Sequence, residues 1–390
     1  MRVCVVGGSI GGLTAALVLA HHGHEVEVHE RSPRALAQRG AGIGLLPETS
    51  RYLTDVARIP ADEISISTSR ITYLARDGSV LNEAVHPYRF SSWNTIYRSL
   101  LGCLDPALYH LGSEMTGWES TDSSVKVSFV NGEAVSADLL VCADGVGSVS
   151  RTLMHPDARP RYSGYVAWRG MVRESELDTG VLARLGDAIT YHVYANSHVL
   201  VYPIPGPDGE TEPGKRSLNF VWYRNYLVGG DLNDLMTGAD GELREISLPP
   251  GTVSPHHAHE MKAHAAARLP ADIATVVSGA AEPFVQVVYD LDIPSMTSGR
   301  ACLLGDAAFL GRPHAAAGTA KAADDAWALA RALDRNDSVV EALEDYGRSQ
   351  TEVGRGLISR TERIGRRSQV ENSWVAGDPE FVFGLRGPGQ

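Results

Sequence analysis

The chain opens with an unbroken apolar run, Val3-Cys4-Val5-Val6. A run this short, with no polar alternation, is the trace of a strand buried on both faces. Glycines follow at 7, 8, 11 and 12. Residues 13–22, rich in Ala and Leu, predict a helix that Gly23 ends. Val26 and Val28 mark a second strand that stops at Glu30. Strand, helix and strand within about 30 residues make one βαβ unit, so the sheet here is expected to be parallel.

The pattern then shifts several times. Residues 99–104 read as helical. Residues 125–129 and 134–137 flank Asn131-Gly132, which predicts a hairpin. Residues 138–143 hold another buried strand, ending at Asp144-Gly145. Between 165 and 289, aromatic and β-branched segments recur at 165–169, 189–194, 198–202 and 218–223. These predict an antiparallel sheet with one covered face. The Pro-, Gly- and charge-rich stretch 206–215 is a loop. A buried strand returns at 301–304 and ends at Gly305-Asp306. An Ala-rich helix is expected over about 316–333, two further helices between 339 and 367, and a tail with an aromatic pair and Pro-Gly after 377.

The nucleotide-type pieces come from three separated places, so a composite α/β fold is expected. Residues 1–70, 97–164 and 285–335 would form a discontinuous nucleotide-binding domain. Residues 71–96 and 165–284 would form a sheet domain for substrate, and 336–390 a C-terminal helical region.

Composition narrows the class. Hydrophobic residues make up 43% of the 390 and charged residues 21%, as in a globular protein with a core. The 35 basic and 47 acidic residues leave a net charge of −12, which argues against nucleic acid as partner. Three of the four cysteines sit in apolar runs and none forms a CxxC pair, so they read as small buried hydrophobes in a reducing cytoplasm. The first 20 residues carry glycines in the middle and no cleavage region, so they read as strand, turn and helix instead of a signal peptide. No membrane span is expected. Monomer and homodimer both stay open.

Three motifs carry chemistry. The first, Gly7-Gly8-Ser9-Ile10-Gly11-Gly12, sets Gly7, Ser9 and Gly12 against G-x-G-x-x-G, with Ser9 and Ile10 at the helix start. A pyrophosphate must approach the backbone where a helix begins, because free N–H groups and the dipole favour anions there. Gly7 permits the turn, Gly12 lets helix and strand pack, and Ser9 is small enough to stand in for glycine. Glu30, at the second strand's end beside Arg31, is placed to accept from ribose hydroxyls. The second motif runs from Ala143 through Asp144 and Gly145 to Arg151. The third holds Gly305 and Asp306, followed by Pro313, His314 and Gly318 at a helix start. Both place an acid and a glycine at the carboxyl end of a buried strand, where ligands of open parallel sheets sit.

The ordered set GGSIGG, DGVGSVSR and GDAAFLGRPHAAAG resembles the FAD-binding signature of the para-hydroxybenzoate hydroxylase family, over nearly the whole chain. The resemblance implies a Rossmann-like FAD domain of the glutathione-reductase type with an interleaved antiparallel sheet. It implies that Asp306 contacts FAD, that Asp144 and Gly145 serve both FAD and a transient NAD(P)H, and that Arg98 touches the cofactor. It also implies that the helix after Gly318 points its N-terminus at the flavin, where it favours the charge of the reduced ring. The reaction implied is hydroxylation of a phenol or hydroxypyridine by O₂ through a flavin hydroperoxide. The segments YVAWRGMV, LVYPIPG, RPHAAAGTAKAADDA and FVFGL resemble the hydroxypyridine-acting branch. Phe309 stands where many relatives have His.

Substrate and catalytic candidates follow with less support from pattern. Arg169, a charge in an apolar strand, needs a partner and is expected to bind substrate, as are Tyr191 and Pro313. His192, Tyr202 and His314 are candidates for a base or hydrogen-bond relay to the ring hydroxyl. His256, Glu260 and His264 share one helix face, but Ala263 occupies the second His position of an HExxH string, so no metal is expected. Two other readings stay open: a flavin oxidase or reductase without oxygen insertion, and a non-catalytic flavin- or aromatic-binding protein.

Overall fold

The computed structural model describes residues 1–36 and 42–390; positions 37–41, inside the first nucleotide-binding stretch, lie outside the described residues. A six-stranded sheet runs in the order Thr297–Ser298, Ala301–Leu303, Leu139–Cys142, Arg2–Val6, Glu25–Glu30, Tyr109–Leu111. All its pairings are parallel except the short one at the first edge. Arg2–Val6 lies between Leu139–Cys142 and Glu25–Glu30, with Val3 opposite Leu139 and Val26. That central position is why the opening run is apolar on both faces.

Helix Ile10–His21 fills one side of this sheet, apolar nearly all round because it lies between the sheet and helix Gly318–Arg335. The hairpin 125–137 pairs as expected, Val125 opposite Ala137, and joins Met115–Ser120 in a three-stranded sheet.

The sheet-rich middle is one nine-stranded sheet. Its spine is Phe284–Asp290, Arg161–Arg173, Ser217–Asn225, Ser197–Ile204, Ala188–Tyr194, Ile66–Leu74 and Val80–Ser92. It differs from expectation in three ways. Ala188–Tyr194 pairs in parallel with Ile66–Leu74, so the sheet is mixed. The boundary expected at 70/71 shifts, because Ile66–Leu74 and Gly42–Gly44 are both strands of this sheet. Both faces are covered, and every residue of Ser197–Ile204 is buried. One face, with Trp168, Val199, Val201, Phe220 and Trp222, packs on helices Pro255–Arg268 and Ala271–Gly279. The other, with Tyr165, Ala167, Tyr191, Leu200, Tyr202, Val221 and Tyr223, turns toward the nucleotide-binding side. The aromatic content of that second face hid its burial in the sequence.

The two helices expected between 339 and 367 are one, Val339–Gln369. Gly347, Gly354 and Gly356 lie inside it without breaking it, because Gly347 and Gly354 are where Thr297 and Phe309 pack closest.

Candidate active site

Two joined cavities lie where the six-stranded sheet ends against the nine-stranded one. The outer, about 840 Å³, is walled by Gly7, Glu30, Arg31, Asp144 and Gly145. The inner, about 440 Å³, reaches from Ile10, Gly305, Asp306 and Gly318 to Arg169 and Tyr202. Ser9, Trp93, Ala143 and Gly145 border both.

The first motif builds a cradle that only small residues permit. Gly7 has φ +103°, and a Cβ on it would meet the Ala143 carbonyl oxygen at 2.2 Å. A Cβ on Gly12 would stand 1.8 Å from the Gly7 oxygen. Ser9 is the extended residue before the helix and its side chain makes no capping bond. The first intrahelical donor is the Leu13 N–H, to Ser9 O, so the amides at 10–12 lack helical partners. Glu30 is committed in part to backbone: its two oxygens accept from the N–H groups of Gly8 and Ser32, both at 2.8 Å. Each keeps a lone pair, and the residue borders the outer cavity.

The second motif is held from within. Asp144 accepts from the Ser148 hydroxyl at 2.6 Å and from the N–H and hydroxyl of Ser150 at 3.0 Å. That fixes the turn in which Gly145 has φ +75°. Arg151, whose role pattern alone did not reveal, links second motif to third: its guanidinium donates to Val146 O at 2.6 Å and Ala307 O at 3.2 Å.

In the third motif, Gly305 has φ +60° and its N–H donates to Asp325 at 2.9 Å. Asp325 is buried in an ion pair with Lys321 of the same helix. Asp306, which follows Gly305, exposes its side chain to the inner cavity in the middle of the protein. Enclosure pushes its carboxyl up to about 6, against the pull of Arg151. Ala316 takes φ +53° without being glycine, just before the helix at Gly318. Both border the inner cavity, so a strained turn aims that helix start at it.

The substrate end is aromatic and, among the described residues, holds one fixed cation, Arg169. Arg169 donates through Nη1 to Gln286 Oε1 at 2.8 Å and through Nη2 to the Gly42 carbonyl at 2.5 Å, while its buried Nε has no partner among the described residues. The Tyr202 hydroxyl donates to the same carbonyl at 2.9 Å, and its ring stacks on Phe90 at 4.3 Å. Burial raises the Tyr202 and Tyr223 hydroxyls, against the pull of Arg169, so both stay protonated. Pro313 borders the cavity.

Other candidates fall elsewhere. His192 lies on the helix-covered face, bonded through Nδ1 to Leu74 O at 2.9 Å, because its strand alternates and Tyr191 takes the other face. Tyr191 stacks on Tyr73 at 5.0 Å and borders neither cavity. Arg98 is exposed on helix Trp93–Cys103 and borders neither cavity. His314 is buried behind the wall, its Nε2 2.7 Å from the Tyr165 hydroxyl. Arg224, on strand Ser217–Asn225, reaches both His264 and Glu260 of helix Pro255–Arg268. Trp93, Tyr223, Gln286, Phe90 and Phe383 border the inner cavity without having been singled out. Aromatic residues and a glutamine within strands leave no signal that separates a wall from a core.

The glycine cradle, the partnerless helix amides and the helix start at Gly318 suit a dinucleotide with a ring system reaching the inner cavity. The residues therefore fit FAD. A family model described as FAD binding domain-like matches residues 162–290, within the sheet-rich middle. The 2,6-dihydroxypyridine 3-monooxygenase of Paenarthrobacter nicotinovorans is 36% identical over 385 residues, covering 98% of this chain and 96% of that one. The solved structure of 2,6-dihydroxypyridine-3-hydroxylase from Arthrobacter nicotinovorans superposes with a TM-score of 0.92 at 35% identity, over 98% and 96% of the two chains. The 3-amino-4-hydroxybenzoate 2-monooxygenase of Streptomyces cremeus is 28% identical, over 95% of this chain and 86% of that one. The chain thus belongs to the FAD-dependent aromatic monooxygenases of the para-hydroxybenzoate hydroxylase type.

Proposed function

We propose that this enzyme hydroxylates a small hydroxypyridine-type ring, with Arg169 and Gln286 holding the ring's oxygen substituent. The balance is ring–H + O₂ + NAD(P)H + H⁺ giving ring–OH + H₂O + NAD(P)⁺. Bound in the cradle, FAD would carry the electrons from NAD(P)H and activate oxygen for transfer. Gly7, Ser9 and Gly12 would hold its pyrophosphate, Glu30 and Arg31 its adenosine end, and Asp306 and Gly318 the inner part.

The chain's own contribution is positioning, charge and dryness. A fixed guanidinium favours the oxyanion of a ring hydroxyl, so ring activation by proton loss needs no carboxylate base beside it. Tyr202, its hydroxyl donating to the Gly42 carbonyl, acts as a wall, and Tyr223, held protonated, acts as wall and donor. Arg169 is kept in place by the Gly42 carbonyl and Gln286. Phe90, Leu200 and Val221 exclude water, which protects the activated oxygen. The helix start at Gly318, on the inner cavity, would offer partial positive charge to the ring of a bound, reduced flavin.

The observation that carries this reading is Arg169, among the described residues the one cation of the inner cavity, set in an aromatic wall that opens onto a dinucleotide cradle. The names of the relatives found at 36% and 35% identity favour a hydroxypyridine over a phenol. We place the enzyme in the cytoplasm. Its four cysteines are free, and no described helix is long and apolar enough to cross a membrane. The test is NADH and NADPH oxidation with a panel of hydroxypyridines and phenols, with mass spectrometry of the product. A gain of one oxygen atom on a hydroxypyridine is expected. Nucleotide consumption that yields only peroxide with every ring would sink it.

A further inference from the structure

The chain's last segment returns to the inner cavity. Phe383 borders it and is nearly inaccessible to solvent. Its ring lies 4.7 Å from Tyr88 and 6.3 Å, edge-on, from Phe90, and its N–H donates to the Tyr88 hydroxyl at 2.9 Å. The next residue, Gly384, donates to Ala315 O at 3.2 Å, in the loop that leads to the helix at Gly318.

This tail is clamped, not draped. Arg360 of helix Val339–Gln369 donates to three tail carbonyls, Gly384 at 2.7 Å, Val382 at 2.5 Å and Glu380 at 3.1 Å. Arg386 pairs with Asp324 at 2.7 Å, and Leu385 is buried against Ala315, Ala317 and Leu357. Burying a guanidinium to hold loop carbonyls is costly unless all its partners stay in place. One phenyl ring is thereby set between the sheet wall and the loop that precedes Gly318.

We propose that Phe383 is a specificity-determining residue: its ring limits the substrate to a single aromatic ring and excludes a fused second one. This rests on the ring-hydroxylation reading above. The inner cavity must be shared between the cofactor's ring end and the substrate, so one phenyl on its wall decides whether a bicyclic ring enters. Truncating a buried phenyl opens apolar space on the order of 100 Å³, the scale at which an apolar cavity takes up one more ring.

The test compares Phe383→Ala and Phe383→Leu with the parent protein, all loaded with FAD. Calorimetry measures binding of 2,6-dihydroxypyridine and of a dihydroxyquinoline, and product analysis follows hydroxylation of each. Phe383→Ala is expected to bind the bicyclic probe at least tenfold more tightly than the parent does, and the single ring several-fold more weakly. Phe383→Leu, which keeps the site filled and guards against a folding artefact, should fall between them. The dissociation constant for FAD should change less than threefold in both. If the parent hydroxylates the single ring and neither variant changes the ratio of the two affinities, the proposal for Phe383 is overturned and the ring-hydroxylation reading stands. If the FAD-loaded parent binds neither ring, both fall.

Discussion

The Tyr165 hydroxyl lies 2.7 Å from Nε2 of His314, and both side chains are buried. Burial holds the tyrosine above its ordinary range and the imidazole well below its own. Both groups are therefore neutral, and the tautomer of His314 sets which of them donates. The pair anchors the loop between Pro313, on the cavity wall, and Gly318, at the helix start. Tyr165→Phe removes one partner and leaves a buried imidazole nitrogen unpaired, which costs about 1–3 kcal/mol. A lower urea midpoint with FAD still bound is the expected result. An unchanged midpoint would show that the bond contributes nothing net.

His314 has a neighbour in the same position. His198 lies 5.2 Å from it, ring to ring, and burial lowers its pKa from 6.5 to about 3. A histidine depressed on folding binds its proton more readily when unfolded. Its stabilising share is complete above pH 6.5 and is lost as pH falls toward 3. Urea midpoints taken at pH 7, 5.5 and 4.5 should therefore fall steeply. In His198→Gln, which keeps a partner for Ser368 but does not titrate, the fall should be shallower. Parallel curves for the two proteins would refute the assignment.

Arg169 acts through its fork as well as its charge. Two of its nitrogens each give one N–H to Gly42 and Gln286, and Nε is buried without a partner among the described residues. Lysine keeps the charge but cannot make both bonds at once. Arg169→Met should weaken ring binding by tenfold or more and Arg169→Lys by less, with flavin content unchanged in both. Equal, small effects would mean that the cation holds Gly42 in place and does not meet substrate.

How far the sequence revealed all this depended on what kind of residue did the work. The cradle was legible because glycine is there for one reason: Gly7 and Gly12 sit where any Cβ collides with backbone. The opening strand was legible because its apolar run matches a central position in a parallel sheet. The wall was not. Tyr191 and Tyr202 are both aromatic residues on the same face of neighbouring strands, yet only Tyr202 reaches the cavity, and no local pattern separates them. His192 pointed away because strand alternation sets its face, and the pattern gave two faces without saying which was wet. The clamp of Arg360 on the tail joins residues 20 to 24 positions apart through carbonyls, which leave no mark in composition.

The cradle itself yields a sharp expectation. Alanine at position 12 would bring a Cβ to 1.8 Å from the Gly7 oxygen, well inside contact distance, and the neighbour is backbone that cannot rotate away. The turn would have to open, and with it the first amides of helix Ile10–His21. Gly12→Ala should purify colourless or fail to fold. Alanine at Gly23, where a Cβ meets nothing within 4 Å, should keep its flavin despite some strain at φ +86°. The ratio of flavin absorbance to protein checks both. A yellow Gly12→Ala protein would mean that the helix start is not the pyrophosphate site.

Asp306 separates a cofactor contact from a merely structural acid. Its carboxyl is raised from 3.8 to about 6 by enclosure. An acid raised on folding weakens the folded state once it ionises. The penalty is absent below pH 3.8, grows as pH rises, and is complete above about 6. Asp306→Asn should therefore raise the melting temperature of the flavin-free protein at pH 8 and leave it unchanged at pH 4. A carboxylate kept at such a cost at neutral pH is expected where a ligand needs it, so the same variant should bind FAD at least tenfold more weakly. The two measurements read different things. A stabilised flavin-free protein with undiminished FAD affinity would remove Asp306 from the cofactor site. Weaker FAD binding without the pH-dependent gain would place the carboxylate at the cofactor and show that water in the open cavity solvates its charge.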